Sequence, residues 1–322
     1  MPITSNVLWD IEQVITSADF TELNLLAPTL DPRITFSRTT TKSYIASDGT
    51  RQIAAANVWP REFDPVTLAP LGRSVWAART NLFLNSDAPV TQDITVTAVA
   101  HTLSFEGTGT ITLSGAATGS LVGGGAGPAG RRSLTFTPTA GALTVTLAGS
   151  VQAVQVEAGP NASPYIATAG SPVIRAADSA TVTTSSIGYS TTGGTWYAEA
   201  FAPLGTITTT PRIIGYDISN ITPLYIDTSM KIASYMNLAS ISTANATSGG
   251  ELFKAALAYA SDRSIVLNGG NVVSDANVSH PTSSVRIGAL GSTSNFINST
   301  IKRIRYFPTR LSNAMIQQIT TL

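Results

Sequence analysis

QVEAGPNASPYIATAGSPVIRAADSATV, residues 155–182, decides how the rest of the chain is read. It opens on the apolar/polar alternation Val154-Gln155-Val156-Glu157, breaks at Gly159-Pro160, and stays rich in Gly, Pro, Ala and Ser as far as Ser171. From Ile174 the extended rhythm returns. Such a composition shift between two β-rich regions marks a crossing from one packed module to the next. The segment is therefore read as a seam, with domains expected over 1–75, 76–165 and 166–322.

Both flanks of the seam carry period-two patterns. Upstream lie Ile94-Thr-Val96, Thr110-Ile-Thr-Leu113, Leu134-Thr-Phe136 and Leu143-Thr-Val145-Thr-Leu147. Thr on one face and aliphatics on the other describe strands with one wet side. Downstream, Thr195–Phe201, Pro223–Asp227, Met230–Tyr235, Ala255–Tyr259, Ile265–Val273, Ser284–Ile287 and Ile301–Phe307 continue the β rhythm, with a hairpin expected at Asn268-Gly269. A second hairpin is expected around Asp48-Gly49. The fold class this implies is all-β, two β-sandwich (jelly-roll) domains in tandem behind a small N-terminal attachment region. Helix is expected in two places only. The first is residues 1 to about 30, where Val7, Ile11, Val14 and Ile15 have helical spacing and Ser17 caps a short turn through Phe20 and Leu23. The second follows Ser312, with Leu311 and Ile316 as a staple and Met315, Ile319 and Leu322 facing the sheet.

Composition removes several function classes. Lys plus Arg and Asp plus Glu both number 19, so no net field points to nucleic acid or to an anionic membrane. The charged fraction is only 12%, which leaves the polar surface to Thr, Ser and Asn. There is no cysteine, hence no disulfide and no thiolate metal site, and the two histidines, His101 and His280, are far apart in sequence. No metal and no cofactor are expected. No run of about 18 apolar residues occurs, so membrane insertion is not expected. The opening MPITSNVLWDIEQV lacks a basic region followed by an apolar one, so release by lysis, as part of a larger particle, is expected over general secretion.

Gly125-Ala-Gly-Pro-Ala-Gly130 matches the spacing G-x-G-x-x-G, but Arg131–Thr137 after it reads as a strand rather than a phosphate-facing helix. It is read as a loop. The pair Arg131-Arg132 and the run Lys302-Arg303-Ile304-Arg305 are the only local concentrations of arginine, and the latter is read as a strand with solvated charges.

Several motifs together resemble one family. They are F-S-R-T-T-T at 36–41, the S-D-G hairpin, F-D-P-V-T-L-A-P-L-G at 63–72, A-R-T-N-L at 78–82, Q-V-E-A-G at 155–159, R-A-A-D at 175–178 and I-K-R-I-R-Y-F-P-T-R-L-S-N-A at 301–314. In combination they are similar to the head-spike and tail-fibre proteins of tailed bacteriophages and of phage-derived gene transfer agents. That resemblance implies an attachment region, a carbohydrate-module-like jelly roll and a concanavalin/laminin-G-like sandwich. The sequence departs from the pattern at Trp76, where an acidic residue is usual, and at Ser299, where glycine is usual. No catalytic residue comes with the family.

A glycoside hydrolase of concanavalin-like fold needs two carboxylates across the scissile bond, and the strand around Glu199 offers one. Neither histidine accompanies a nucleophile motif. An enzyme is not expected. Sugar binding needs aromatic faces with amides and carboxylates beside them. The candidates are Tyr216, Asp217, Tyr225, Asp227, Tyr235, Asn237 and Tyr259; Trp196 is assigned to the core, Trp59 and Trp76 to packing between segments. The function expected from all this is a structural virion protein, at the surface of a phage-like particle, that binds host cell-surface polysaccharide. A spike-base or decoration protein carrying a separate receptor-binding subunit is the alternative, and a capsule depolymerase the third reading. Expected partners are other particle proteins (capsid or tail, and a fibre subunit) and further copies of the chain in a homo-oligomer, with no nucleic acid.

Overall fold

The computed structural model describes residues 19–216, 221–279, 284–290 and 295–322. The chain is all-β, with one α-helix among the described residues. It divides into two compact units. One holds residues 36–179 and 203–207; the other holds 1–35, 180–202 and 208–322. The units do not follow the three expected segments. Residues 36–75 belong with the first sandwich, and the Gly/Pro-rich stretch 159–171 lies inside that unit.

In the unit of residues 36–179, two sheets enclose the core. One orders Gly119–Val122, Thr110–Gly115, Gly141–Ala148 and Gln92–Val96; the other orders Arg132–Phe136, His101–Glu106 and Gln152–Ala158. The inward aliphatics of the expected strands meet between them: Ile94, Val96, Ile111, Leu113, Leu143 and Val145 pack against Leu103, Phe105, Val154 and Val156. The turn after Pro160 is fastened to the sandwich by buried polar groups. Glu157 accepts from the Ser163 backbone N–H at 2.7 Å and from its hydroxyl at 2.6 Å, while the Asn81 amide donates to the carbonyls of Val154 and Ile166 at 3.0 and 2.8 Å. Such satisfied networks fix one arrangement of a loop that apolar packing alone would leave loose. This is why a stretch whose composition suggests a linker is instead built into the module.

Residues 36–75 are tied in by ions. Arg38 and Asp178, both side chains wholly buried, pair at 3.0 Å, and Asp178 also accepts from the Trp76 backbone N–H at 2.9 Å. Lys42, equally buried, pairs with Glu62 at 2.8 Å. Trp59 stacks on Phe36 with ring centroids 5.0 Å apart and donates to the Ser74 carbonyl, the packing role expected of it. The Asp48-Gly49 hairpin forms between Lys42–Ile45 and Arg51–Ala54, with Gly49 at φ 78° and Asp48 accepting from the Thr50 N–H and hydroxyl.

The second unit also packs two sheets. One orders Val273–Asp275, Arg263–Leu267, Leu252–Tyr259, Gly194–Phe201 and Ser299–Phe307, with Thr21–Asn24 on the last strand. The other orders Val285–Ile287, Arg212–Tyr216, Thr222–Ile226, Lys231–Met236 and Ala239–Ala246. Trp196, fully buried, donates from the first to the Tyr216 hydroxyl of the second at 3.2 Å, so it is a core residue as assigned. Asn268 and Gly269, at φ 49° and 68°, make the expected hairpin turn. Of the expected N-terminal helix, residues 1–18 lie outside the described residues. The turn through Phe20 and Leu23 is instead a strand, since Leu23 sits opposite Ile304 and a paired strand edge outcompetes one isolated helical turn. The C-terminal helix Asn313–Ile319 is capped by Ser312, whose hydroxyl accepts from Met315 N–H. Ile316 is buried and Met315 and Ile319 pack beside it, whereas Leu322 is exposed, because the helix ends at Ile319.

Candidate functional site

The residues expected to bind sugar fall in the second unit, and it divides them. Tyr216 and Tyr259 are wholly interior, at 0% and 1% exposure. Their hydroxyls belong to a closed aromatic cluster: Tyr259 and Tyr306 hydroxyls lie 2.9 Å apart, Tyr189 stacks on Tyr306 at 5.3 Å, and Trp196 meets Tyr306 at 4.6 Å. Burial first, then neighbouring phenols, raises both tyrosine pKa values far above the usual range. Neither ring can serve as a sugar platform, which corrects the expectation for both. Asp217 lies outside the described residues.

Tyr225, Asp227, Tyr235 and Asn237 do gather on adjacent strands, but not as one site. Tyr225 sits opposite Arg212, whose guanidinium lies 4.5 Å over its ring, and its hydroxyl meets Ser240 Oγ at 2.5 Å. The ring is thereby covered, at 6% exposure. Asp227 is a turn residue: Oδ1 accepts from the N–H groups of Ser229 and Lys231, and Oδ2 from the Ser242 hydroxyl at 3.0 Å. Asn237 is exposed at φ 49°, beyond the other end of Lys231–Met236. Five residue steps separate the two turns, roughly 17 Å at ~3.3 Å per step, too far for one sugar ring to touch both. Tyr235, half-buried, is the one aromatic of the set with an accessible face.

A better-formed site lies in the other unit, between the Lys42–Ala54 hairpin and the sandwich. It is a cavity of about 190 Å³, the room of roughly six waters at ~30 Å³ each and so of one sugar ring. Aromatic side chains from three segments reach it: Tyr44, Trp76 and Tyr165. Four charged side chains stand among them, Arg51, Glu62, Glu106 and Arg131. The hairpin is held over the cavity by the Ser43 hydroxyl, which donates to the Tyr165 carbonyl at 2.7 Å, and by Arg51, which lies 4.5 Å over the Tyr165 ring and is ion-paired with Glu106. The Tyr165 hydroxyl is fixed in turn by Asp87 and Ser86, each at 2.6 Å.

Arg131 owes its place to the glycine loop before it. Gly125 has φ 134° and Gly127 φ 69°, and a Cβ on Gly130 would lie 2.0 Å from the Gly125 carbonyl oxygen. Only glycine allows that crossing. The short 3-10 turn Pro128–Gly130 then delivers Arg131, which donates to the Ser163 carbonyl at 2.9 Å and to Ser104 Oγ at 2.8 Å, before the strand Arg132–Phe136 begins. The loop reading of this motif holds. Burial, and after it the nearby charge of Arg131, pushes Arg51 down to about 10.

Sequence reasoning did not find this site. Its residues come from 43–51, 62–65, 76, 106, 128–131 and 162–165, and no local pattern announces that they meet. One signal was present, the arginine following the glycine loop, Arg131.

The chain matches no family model, and no curated protein matches it. Among solved structures it is similar to the CBM40 of Ruminococcus gnavus IT-sialidase bound to alpha2,3 sialyllactose, at 13% identity and TM-score 0.35 over 41% of this chain and 84% of that one. It is similar to domain 4 of AbnA, a GH43 extracellular arabinanase from Geobacillus stearothermophilus, in complex with arabinotriose, at 12% identity and TM-score 0.37, over 45% and 73%. Trypanosoma rangeli sialidase matches at 14% identity and TM-score 0.35, over 44% of this chain but 25% of that one. Each of these likenesses spans less than half of this chain.

Proposed function

We propose that this chain is a non-enzymatic protein of a phage-like particle surface that binds host cell-surface glycan, with the cavity of the 36–179 unit as its sugar site. The observation that carries the reading is the cavity lining. The part-exposed Tyr44 and Trp76 stand beside charged groups that are already braced by neighbours, with Tyr165 capped by Arg51 behind them, a mixture that can stack on a sugar ring and hydrogen-bond its hydroxyls. The particle assignment is supported by the motif set at 36–41, 63–72, 78–82, 155–159, 175–178 and 301–314.

Binding without bond cleavage is supported by the state of the carboxylates. Glu62 lies against Lys42, Glu106 against Arg51, and Glu199 against Lys302 and Arg303. A glycosidase needs two carboxylates placed across one scissile bond, and each of these is held against a cation instead. Repetition of one weak sugar site in a homo-oligomer would raise avidity, and we place the chain on the particle in that form.

Incubating particles with purified host polysaccharide, with and without an antibody to this chain, tests the proposal. The expected result is retention that the antibody blocks and no shortening of the polysaccharide. Shortening would establish a depolymerase. Retention that is indifferent to the antibody would make this chain the base for another receptor-binding subunit. A monodisperse monomer in light scattering would remove the oligomer.

A further inference from the structure

The four charges that line the cavity, Arg51 and Arg131 against Glu62 and Glu106, cancel, but its hydrogen bonds do not balance. Glu62 and Glu106 each have a cation, Lys42 and Arg51. Among the described residues Arg131 has no carboxylate within ion-pair distance, and the buried Glu157, bound to the same Ser163, acts on it only from farther off; its hydrogen bonds go to a carbonyl and a hydroxyl. The Nε of Arg131 and the indole N–H of Trp76 are both shielded from solvent and have no hydrogen-bond partner. A buried donor left unmade is costly, and a charged one more so. Arg51, the other cation of the wall, stands close enough to Arg131 for the two charges to oppose one another. Glu106 Oε1 is also shielded without a hydrogen bond but lies against Arg51, so the unmet groups of the wall are chiefly donors, beside the part-exposed Tyr44 and Trp76. A neutral sugar would meet these donors only with neutral acceptors. A carboxylate on the sugar would supply both the acceptors and the opposite charge.

From this we infer that the cavity takes a carboxylate-bearing sugar, with Arg131 receiving the carboxylate and Trp76 flanking it. The inference rests on the glycan reading of the same cavity and narrows it to acidic sugars. Specificity then has a simple origin: charge-assisted hydrogen bonds to a guanidinium are stronger than neutral ones, and they require the carboxylate to be present.

The test is titration of the full chain with glucuronate, galacturonate and N-acetylneuraminate, and with glucose and galactose as neutral counterparts, followed by ligand-observed NMR. At least one acid is expected to bind roughly tenfold more tightly than the neutral sugars, and that margin is expected to shrink as salt is raised. Arg131→Gln should abolish the margin and Arg131→Lys should restore part of it. Because Arg131 also braces Ser163 and Ser104, Trp76→Phe is the second variant. It keeps the ring, removes the orphan N–H, and should weaken the acid several-fold while leaving weak neutral-sugar binding in place. Equal affinity for acids and neutral sugars, or acid binding indifferent to both Arg131→Gln and Trp76→Phe, overturns the inference and leaves the glycan reading standing. No binding of any sugar overturns both.

Discussion

At Tyr216 and Tyr259 burial has a consequence for alkaline stability. Both phenols have pKa values raised by burial above their ordinary 10.0, so the folded chain keeps protons that the unfolded chain gives up. Above about pH 10 the unfolded state binds fewer protons, and stability falls as pH rises. Below the ordinary value the contribution is present in full. Tyr259→Phe removes one such proton while preserving the ring, so its melting temperature should decline less steeply than that of the parent between pH 9 and pH 11. Parallel slopes would place the ionisation elsewhere. Asp178 gives a residue-scale prediction for the other unit. Asp178→Ala leaves Arg38 buried without its partner and should destabilise that unit by about 3–5 kcal/mol in chemical denaturation. The double change Arg38→Met with Asp178→Leu should recover only part of the loss, because Arg38 also donates to the carbonyls of Thr40, Ala55 and Val58 and Asp178 accepts from the Trp76 N–H. The sequence displayed these residues without their roles. Arg38, Asn81, Gln155, Glu157, Arg175 and Asp178 sit in the motifs that carry the family resemblance, and every one is a buried polar group of the fold. Those motifs identify a scaffold, and for that reason they did not lead to the cavity.

Strands were legible because their alternation is a local property. The inward positions of Ile94–Val96, Ile111–Leu113 and Leu143–Val145 could be read off, and they meet in one core. Pairing partners and the facing of a bulged strand are not local. Irregular register at Arg212–Ile214 against Tyr225–Leu224 decides that Tyr225 lies under Arg212, and irregularity between Thr222 and Tyr225 shifts its partner on the next strand. Nothing within five residues of Tyr225 reports that. The glycine loop shows what an element contributes to a site. A methyl group on Gly130 would overlap the Gly125 carbonyl, so Gly130→Ala must displace the loop and Arg131 with it. The expected outcome is a stability loss of about 1–3 kcal/mol, typical of an overpacked position, together with loss of the acid-over-neutral margin in sugar binding. A variant that melts lower but keeps the full margin would show that the loop does not position Arg131. At the other terminus Ser312→Ala removes a helix cap and should cost about 1 kcal/mol, with Ser312→Gly costing less.

The division of the whole chain into units sets which pieces can stand alone. Reading composition alone puts a boundary at 75/76 and another at 165/166. A fragment over 76–165 would lack Arg38, Lys42 and Asp178 from one ion network, and the strand Val173–Arg175 that pairs with Arg79–Asn81. It would also strip Thr168, which donates to the Phe83 carbonyl and accepts from the Ser86 N–H. Each omission exposes a buried group or strands a partner in the interior, and the sum exceeds the ~5–15 kcal/mol that holds a typical domain together. A fragment over 36–179 retains all of these contacts. It should therefore melt in one cooperative transition with native-like near-ultraviolet circular dichroism, while 76–165 should show neither. Cooperative folding of the shorter piece would mean that the ion network and the Gly/Pro-rich turn are ornaments on a sandwich that is stable without them. The cavity would then be an accessory of the hairpin rather than a feature of the module, and its residues would be free to change without cost to the fold.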